Sequence, residues 1–254
     1  MHHLYVTVPA AVLPSLLLIW YFYRRDVFPE PRGMLLATFG LGVLAVIPVL
    51  CVALPLMYLV VTPLAAVHPL LGGVAAGFLT AGVPEEFFKF VVVAGYCARR
   101  PEFDEPMDGI VYGAVASLGF ATMENVLYVE SNGGMSVALS RAFTAVPCHA
   151  FLGAIMGYFI GQAKFRPERR GTLLTTGLVV AMLLHSLYDM PLLVLKAAGA
   201  DVVNAHAFVA LALVALPFGL LLGMGIVTIV LVQRLRRDQL RLLEAVGEAL
   251  PPAP

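Results

Sequence analysis

Seven apolar runs, each near or beyond the length needed to cross a bilayer, alternate along this chain with short polar connectors; they cover approximately residues 4–23, 34–61, 70–98, 107–129, 138–162, 172–195 and 204–232. A helix rises ~1.5 Å per residue, so about 20 apolar residues cross ~30 Å of hydrocarbon. The pattern predicts an all-α fold: a polytopic membrane helix bundle of about seven transmembrane helices over residues 1–237, then a short tail, 238–254, ending in Pro-Pro-Ala-Pro. The first run, Leu4 to Tyr23, lacks a basic leader and a small-x-small cleavage site and is followed by Arg24 and Arg25. It reads as a retained first helix rather than a secretion signal.

Charge along the connectors sets the expected orientation. The connectors 24–33, 99–106 and 163–171, together with the segment after 232, hold Arg24, Arg25, Arg32, Arg99, Arg100, Lys164, Arg166, Arg169, Arg170, Arg234, Arg236, Arg237 and Arg241. The alternate set holds Lys196 alone. Basic residues accumulate on the cytoplasmic side, which predicts an N-terminus outside and a C-terminus in the cytoplasm. Of the 16 Lys and Arg, only Lys89 and Arg141 then fall within spans, and each needs a partner there.

Composition agrees with a bundle in lipid: 60% of the chain is hydrophobic and 13% charged, against roughly a quarter charged in soluble domains. A net charge of zero points to no nucleic acid and no acidic partner, leaving the lipid bilayer as the surrounding phase. Three cysteines, Cys51, Cys97 and Cys148, lie within apolar runs, an odd number that argues against a disulfide framework or a cysteine metal cage.

Against this background the ionisable residues inside spans stand out, because each costs at least ~2.5 kcal/mol at the bilayer centre and marks a functional position by default. They are Glu85, Glu86 and Lys89 in the third run, Asp108 and Glu124 in the fourth with Asn125 beside it, Arg141 and His149 in the fifth, and His185 and Asp189 in the sixth. Glu85 lies 14 residues from Arg99, His149 15 from Lys164, His185 15 from Arg170, and Glu124 16 from Asp108. At ~1.5 Å per residue all four converge on one plane, roughly 21–24 Å above the cytoplasmic edge. Lys89 follows Glu85 by four and Glu86 by three, and Asp189 follows His185 by four, so each set shares a helix face. Lys89 is expected to pair with a Glu. Pro84 is expected to start or kink a helix and so place both carboxylates at a positive helix end. Arg141 is expected to face an outer vestibule or Glu130, Asp108 to be a capping or snorkelling residue at the cytoplasmic edge, and His2, His3, His68 and His206 to lie at outer ends without a role.

Two imidazoles and several carboxylates can hold zinc with a position left for water, while a second Glu acts as general base, which is the logic of metal-assisted peptide hydrolysis. The same residues can also work without metal, a Glu activating water and the histidines stabilising the oxyanion. Ser117, Ser140 and Ser186 lack a nucleophile motif, and Asp108 and Asp189 lie near opposite faces, which disfavours a serine or an aspartyl mechanism. A seven-helix transporter, or an ion- or proton-binding protein using the same groups, is the alternative reading; it would be favoured by inverted repeats, and none is evident.

Taken in order, Glu85-Glu86-Phe87-Phe88-Lys89, Asp108-Gly109 with Tyr112-Gly113, Phe120-Ala-Thr-Met-Glu124-Asn125, His149 with Gly153, and His185-Ser-Leu-Tyr-Asp189 resemble the motifs of the PrsW family of intramembrane proteases, distant relatives of the CAAX-prenyl endopeptidases. The segment Tyr23-Arg-Arg-Asp26-Val-Phe-Pro-Glu30-Pro31 is similar to the one that follows that family's first helix, so the likeness runs from about residue 20 to 190. The resemblance implies site-1 cleavage of a single-pass membrane protein substrate, such as an anti-sigma factor, on its extracytoplasmic side, in the plasma membrane of a prokaryote. It further implies Glu85, Glu86, His149 and His185 as catalytic residues, Glu124, His149, His185 and Asp189 as metal-associated, and Lys89 and Asn125 as supporting. The family's description favours a metal, with zinc the expected ion, whereas the CAAX relatives are described as glutamate-dependent without one.

Overall fold

A computed structural model describes residues 4–132, 134–198 and 207–249, and among them every regular element is helical. His2, His3, His206, the start of the last apolar run at 204 and the Pro-Pro-Ala-Pro end lie outside the described residues. Helix α1 is Leu4–Arg25 and α2 is the run Arg32–Val67, which contains one π-helical stretch. The run 69–99, α3, is assembled from short α, π and 3₁₀ pieces. Then follow α4 (Pro106–Asn132), α5 (Met135–Phe143), α6 (Ala145–Lys164), α7 (Arg170–Ala198) and α8 (Ala207–Ala249).

Among the described residues five stretches are long and apolar enough to cross a membrane: Arg32–Val67, Pro106–Ser131, Met135–Lys164, Pro167–Ala198 and Phe208–Ala245. The run 69–99 differs from them by carrying Glu85, Glu86 and Lys89 in its middle. The lateral surface is lined with exposed Leu16, Trp20, Leu36, Ile47, Leu59, Leu211, Leu222 and Ile226. Only lipid covers so continuous an apolar belt, so the chain is an integral membrane protein.

α4 is the central helix. It is buried on nearly every side from Met107 to Ala121, touching α1, α2 and above all α6, and accordingly its apolar residues run all round rather than in one stripe. Glycine sets its distance from α6. A Cβ on Gly113 would stand 2.1 Å from the carbonyl oxygen of Gly153, and one on Gly157 would stand 1.9 Å from that of Gly109, so the two backbones touch. Small residues four apart are how membrane helices reach such contact. On the other flank, α3 lies against α7 through Gly73, Gly77 and Gly82, which meet Val194, Met190 and Ser186.

The fifth apolar run is two helices. It breaks at Thr144, whose φ of −121° and ψ of −76° leave the helical region. Pro147 is the cause in the sequence: it offers no N–H to the carbonyl four residues back, and proline is tolerated only in a helix's first turn, where α6 places it. All three cysteines are free, with the Cys97 thiol 3.3 Å from the Thr38 hydroxyl.

Candidate active site

The two glycine seams aim the polar residues at each other. On α6, His149 continues the stripe Gly161, Gly157, Gly153 at steps of four, and on α4 the facing stripe Gly109, Gly113, Ser117 leads on to Glu124. His149 Nε2 lies 2.9 Å from Glu124 Oε2. On α3 a π-helical stretch, Gly77–Gly82, runs into a helix whose first turn holds Pro84, Glu85 and Glu86. The helix start expected at Pro84 is not formed: Gly82 and Val83 keep helical φ and ψ, so the carboxylates sit within a continuous helical run, just past the point where its π-helical stretch ends. π-Helical turns recur at functional sites because they re-aim a side chain out of the regular repeat.

Lys89 is the hub. Its Nζ, with no exposed surface, is 3.1 Å from Glu85 Oε2, 2.8 Å from Glu86 Oε1 and 3.0 Å from His149 Nδ1, and it stands 4.2 Å from the centre of the Phe120 ring. The expected pairing of Lys89 with a Glu is thus met twice. His185 Nδ1 lies 2.8 Å from Glu86 Oε1, while its Nε2 lies 3.3 Å from Asp189 Oδ2. The two imidazoles are perpendicular, with ring centres 5.1 Å apart. Each histidine has one nitrogen facing the centre and the other against a peripheral carboxylate, Glu124 for His149 and Asp189 for His185. That is how carboxylates orient imidazoles at catalytic and metal centres.

Glu85, Glu86, His149 and His185 each offer a ligand atom within 4.8 Å of the others, and all four residues are buried. The second oxygen of Glu86 is buried and accepts no hydrogen bond among the described residues. Two imidazole nitrogens and two carboxylates with one uncommitted oxygen suit a first-row divalent metal. Lys89 is the cation on this group in the structure. Glu124 and Asp189, with side chains 18% and 27% exposed, lie on the more open rim.

Arg141 departs from expectation. It does not pair with Glu130; its Nη2 is 2.6 Å from Glu124 Oε2 and its Nε 2.5 Å from Asn125 Oδ1. The break at Thr144 turns α5 across the end of α4, and counting along a straight helix could not reveal this. Asn125 also donates from Nδ2 to the Ala11 carbonyl, tying α1 to the same corner. Asp108 caps as expected, its Oδ2 accepting the N–H groups of Asp104 and Glu105 at 2.7 and 2.8 Å. His68 has a small local role, accepting the Leu70 N–H. Ser117 and Ser186 are fully buried with no partner for their hydroxyls among the described residues.

Comparison with known proteins agrees with this geometry. Residues 30–237 match the model of the PrsW family intramembrane metalloprotease. The Protease PrsW of Geobacillus kaustophilus is 40% identical over 187 residues, covering 73% of this chain and 79% of the relative. That of Bacillus subtilis is 38% identical over 195 residues, covering 76% and 85%. A shorter match to the Protease PrsW of Clostridioides difficile is 33% identical over 122 residues, covering 46% and 51%. No solved structure matches the chain. An apolar bundle whose buried carboxylates and histidines converge, and whose sequence aligns with these proteases over most of its length, is a membrane protease: the chain belongs to the PrsW family of intramembrane metalloproteases.

Proposed function

We propose that this protein is a site-1 endopeptidase that cuts a single-pass membrane protein, such as an anti-sigma factor, near the extracytoplasmic end of its span, in the plasma membrane of a prokaryote. The carrying observation is the meeting of Glu85 and Glu86 from α3, His149 from α6 and His185 from α7 within one buried group. The topology in this reading has seven spans, α1 and the run 69–99 joining the five stretches named above, with the N-terminus outside and the tail 238–254 in the cytoplasm. Its support is the gathering of basic residues on one set of connectors. It puts the site in the half of the bilayer away from those connectors, within reach of a substrate's extracytoplasmic juxtamembrane segment.

Glu86, His149 and His185 would hold a zinc ion, which when bound would polarise the scissile carbonyl and lower the pKa of water. Glu85 is the general base in this scheme. Among the described residues it accepts a hydrogen bond only from Lys89, whereas Glu86 is engaged by both Lys89 and His185. Glu85 takes the proton of the attacking water and returns it to the leaving amine. Glu124 and Asp189 hold the outer nitrogens of the two histidines and so fix which nitrogen faces the substrate. Lys89 offsets part of the negative charge of the two carboxylates in a dry site, through its contacts with both.

The test is cleavage of a single-pass substrate by purified protein in detergent or nanodiscs, alongside measurement of bound zinc. Glu85→Gln, Glu86→Gln, His149→Ala and His185→Ala are each expected to lose cleavage by at least ~100-fold. Full activity in all four would remove the site as assigned here. Full activity of metal-stripped protein would remove zinc and leave Glu85 acting with Lys89 as the group's only cation.

A further inference from the structure

A second group of buried carboxylates lies at the opposite end of the bundle from the active site, where the 24–33 connector, the start of α4 and the end of α8 meet. Asp26, Glu30 and Asp108 each offer an oxygen within 4.8 Å of the others, and their residues are 6%, 4% and 0% exposed. Every hydrogen-bond donor recorded around them is already committed. Asp26 Oδ1 accepts from the Phe28 N–H at 3.1 Å and from Gln239 Nε2 at 2.6 Å. The Gln239 amide also donates to Glu105 Oε1, while its own oxygen accepts the Val27 N–H. Asp108 Oδ2 takes two backbone N–H groups, and Glu30 Oε2 takes the Tyr112 hydroxyl.

After that accounting Asp26 Oδ2 remains buried and without a partner among the described residues, and buried Asp108 Oδ1 meets no N–H or O–H donor there unless the Asp108 and Glu30 carboxyls share a proton. No Lys or Arg forms an ion pair with Asp26, Glu30, Glu105 or Asp108 among the described residues. Acidic clusters are common on protein surfaces, where water satisfies them. With the carboxyls ionised these two oxygens are sealed from water and have nothing to accept from among the described residues, and a buried acceptor left in that state costs as much as a lost hydrogen bond or more. Burial accordingly pushes the Asp26 and Glu30 carboxyls above their ordinary values, and that of Glu105 up to about 7.

We propose that Asp26, Glu30 and Asp108 form a second cation site, separate from the active site, which takes a hard divalent ion of the Mg²⁺ and Ca²⁺ class and clasps the first connector, α4 and, through Gln239, the end of α8. The donors are all oxygen, with neither imidazole nor thiolate, which selects hard ions over zinc. An ion ~2.1–2.6 Å from each ligand spans oxygens up to about 5 Å apart, in keeping with their separation here. The first connector and two helices, α4 and α8, would then be tied together by one ion at the end of the bundle away from the catalytic group.

The experiment uses chelator-stripped full-length protein in detergent and needs no substrate. Mn²⁺ serves as the paramagnetic probe and is competed with Mg²⁺ or Ca²⁺, and thermal melts are recorded with and without those ions. Besides any Mn²⁺ held at the active-site group, one Mn²⁺ per chain is expected to bind, to be displaced by either ion, and to remain in the Glu85→Gln, Glu86→Gln double variant, whose active-site group is disabled. The melting temperature is expected to rise with ion concentration, the folding equilibrium gaining about 100-fold at 100 times Kd. In that background Asp108→Asn and Asp26→Asn are expected to lose both signals. No displaceable Mn²⁺ in the wild-type protein would overturn the proposal and leave a cluster that shares protons only. Binding that survives in both Asn variants, or that vanishes in the double variant while that variant still melts cooperatively, would also overturn it. Should either Asn variant fail to fold, Glu30→Gln replaces it with the same expectation.

Discussion

Lys89 has no surface to show to water, yet it makes three charged or polar contacts at 2.8–3.1 Å, all to residues of the active site. Removing one partner of a buried ion pair costs ~3–5 kcal/mol, because the charges left behind have no solvent. Lys89→Met is therefore expected to lower the melting temperature sharply and abolish cleavage. Adding Glu85→Gln to Lys89→Met is expected to recover part of the melting temperature and none of the activity, which separates a charge-balance role from simple packing. Asp189 offers the opposite case. Its side chain is 27% exposed and holds the outer nitrogen of His185. Asp189→Asn is expected to fold normally and to lose ~10–100-fold in metal affinity or in kcat, read by zinc titration and by cleavage rate. The roles of these residues were legible in the sequence to the extent that helical spacing fixes neighbours. Glu85, Glu86 and Lys89 share a turn, and so do His185 and Asp189. The partner of Arg141 was not legible, since it depends on the direction α5 takes after the helix break at Thr144.

At the scale of elements, the site is an outcome of which helices can touch. Gly113 and Gly157 let α4 and α6 meet backbone to backbone, and this carries Glu124 to His149. Gly157→Ala puts a methyl group 1.9 Å from the Gly109 carbonyl oxygen. It is expected to destabilise by ~1–3 kcal/mol through overpacking and to reduce cleavage out of proportion to that loss. Gly33→Ala, where a Cβ meets nothing within 4 Å, is the matched control and is expected to behave as wild type. Melting curves and cleavage rates on the two variants check both statements. Counting residues from the basic connectors brought Glu85, Glu124, His149 and His185 to one level, and their contacts bear that out. It succeeded because α6 and α7 run straight from their basic ends to the histidines. The π-helical stretches of α3 left no mark in the hydrophobic pattern, because inserting one residue into a turn changes the face presented without changing composition.

For the whole molecule, the first connector is where sequence reading had least to say. Residues 26–31 have no periodicity, and nothing in their order shows that Asp26 and Glu30 meet Asp108, some eighty positions later, or that Gln239 reaches back to Asp26. The readable signal was a pair of acids within a basic, proline-containing loop. Gln239→Ala removes the bonds to Asp26, Glu105 and the Val27 N–H together. It is expected to lower stability by about 1–3 kcal/mol and to expose the 24–33 connector to protease, seen as faster cleavage there in limited proteolysis while the catalytic group stays intact.

The backbone-to-backbone seam between α4 and α6 also bears on how the enzyme tolerates change in its surroundings. Side chains between helices act as soft padding, since a rotamer shift can absorb a neighbour's movement, but Gly109, Gly113, Gly153 and Gly157 supply no padding. The gap that sets Glu124 against His149 is a hard stop made of main chain, so the lipid-facing residues around it can be exchanged, and the bilayer can thicken or thin, without retuning the distance at which the chemistry is held.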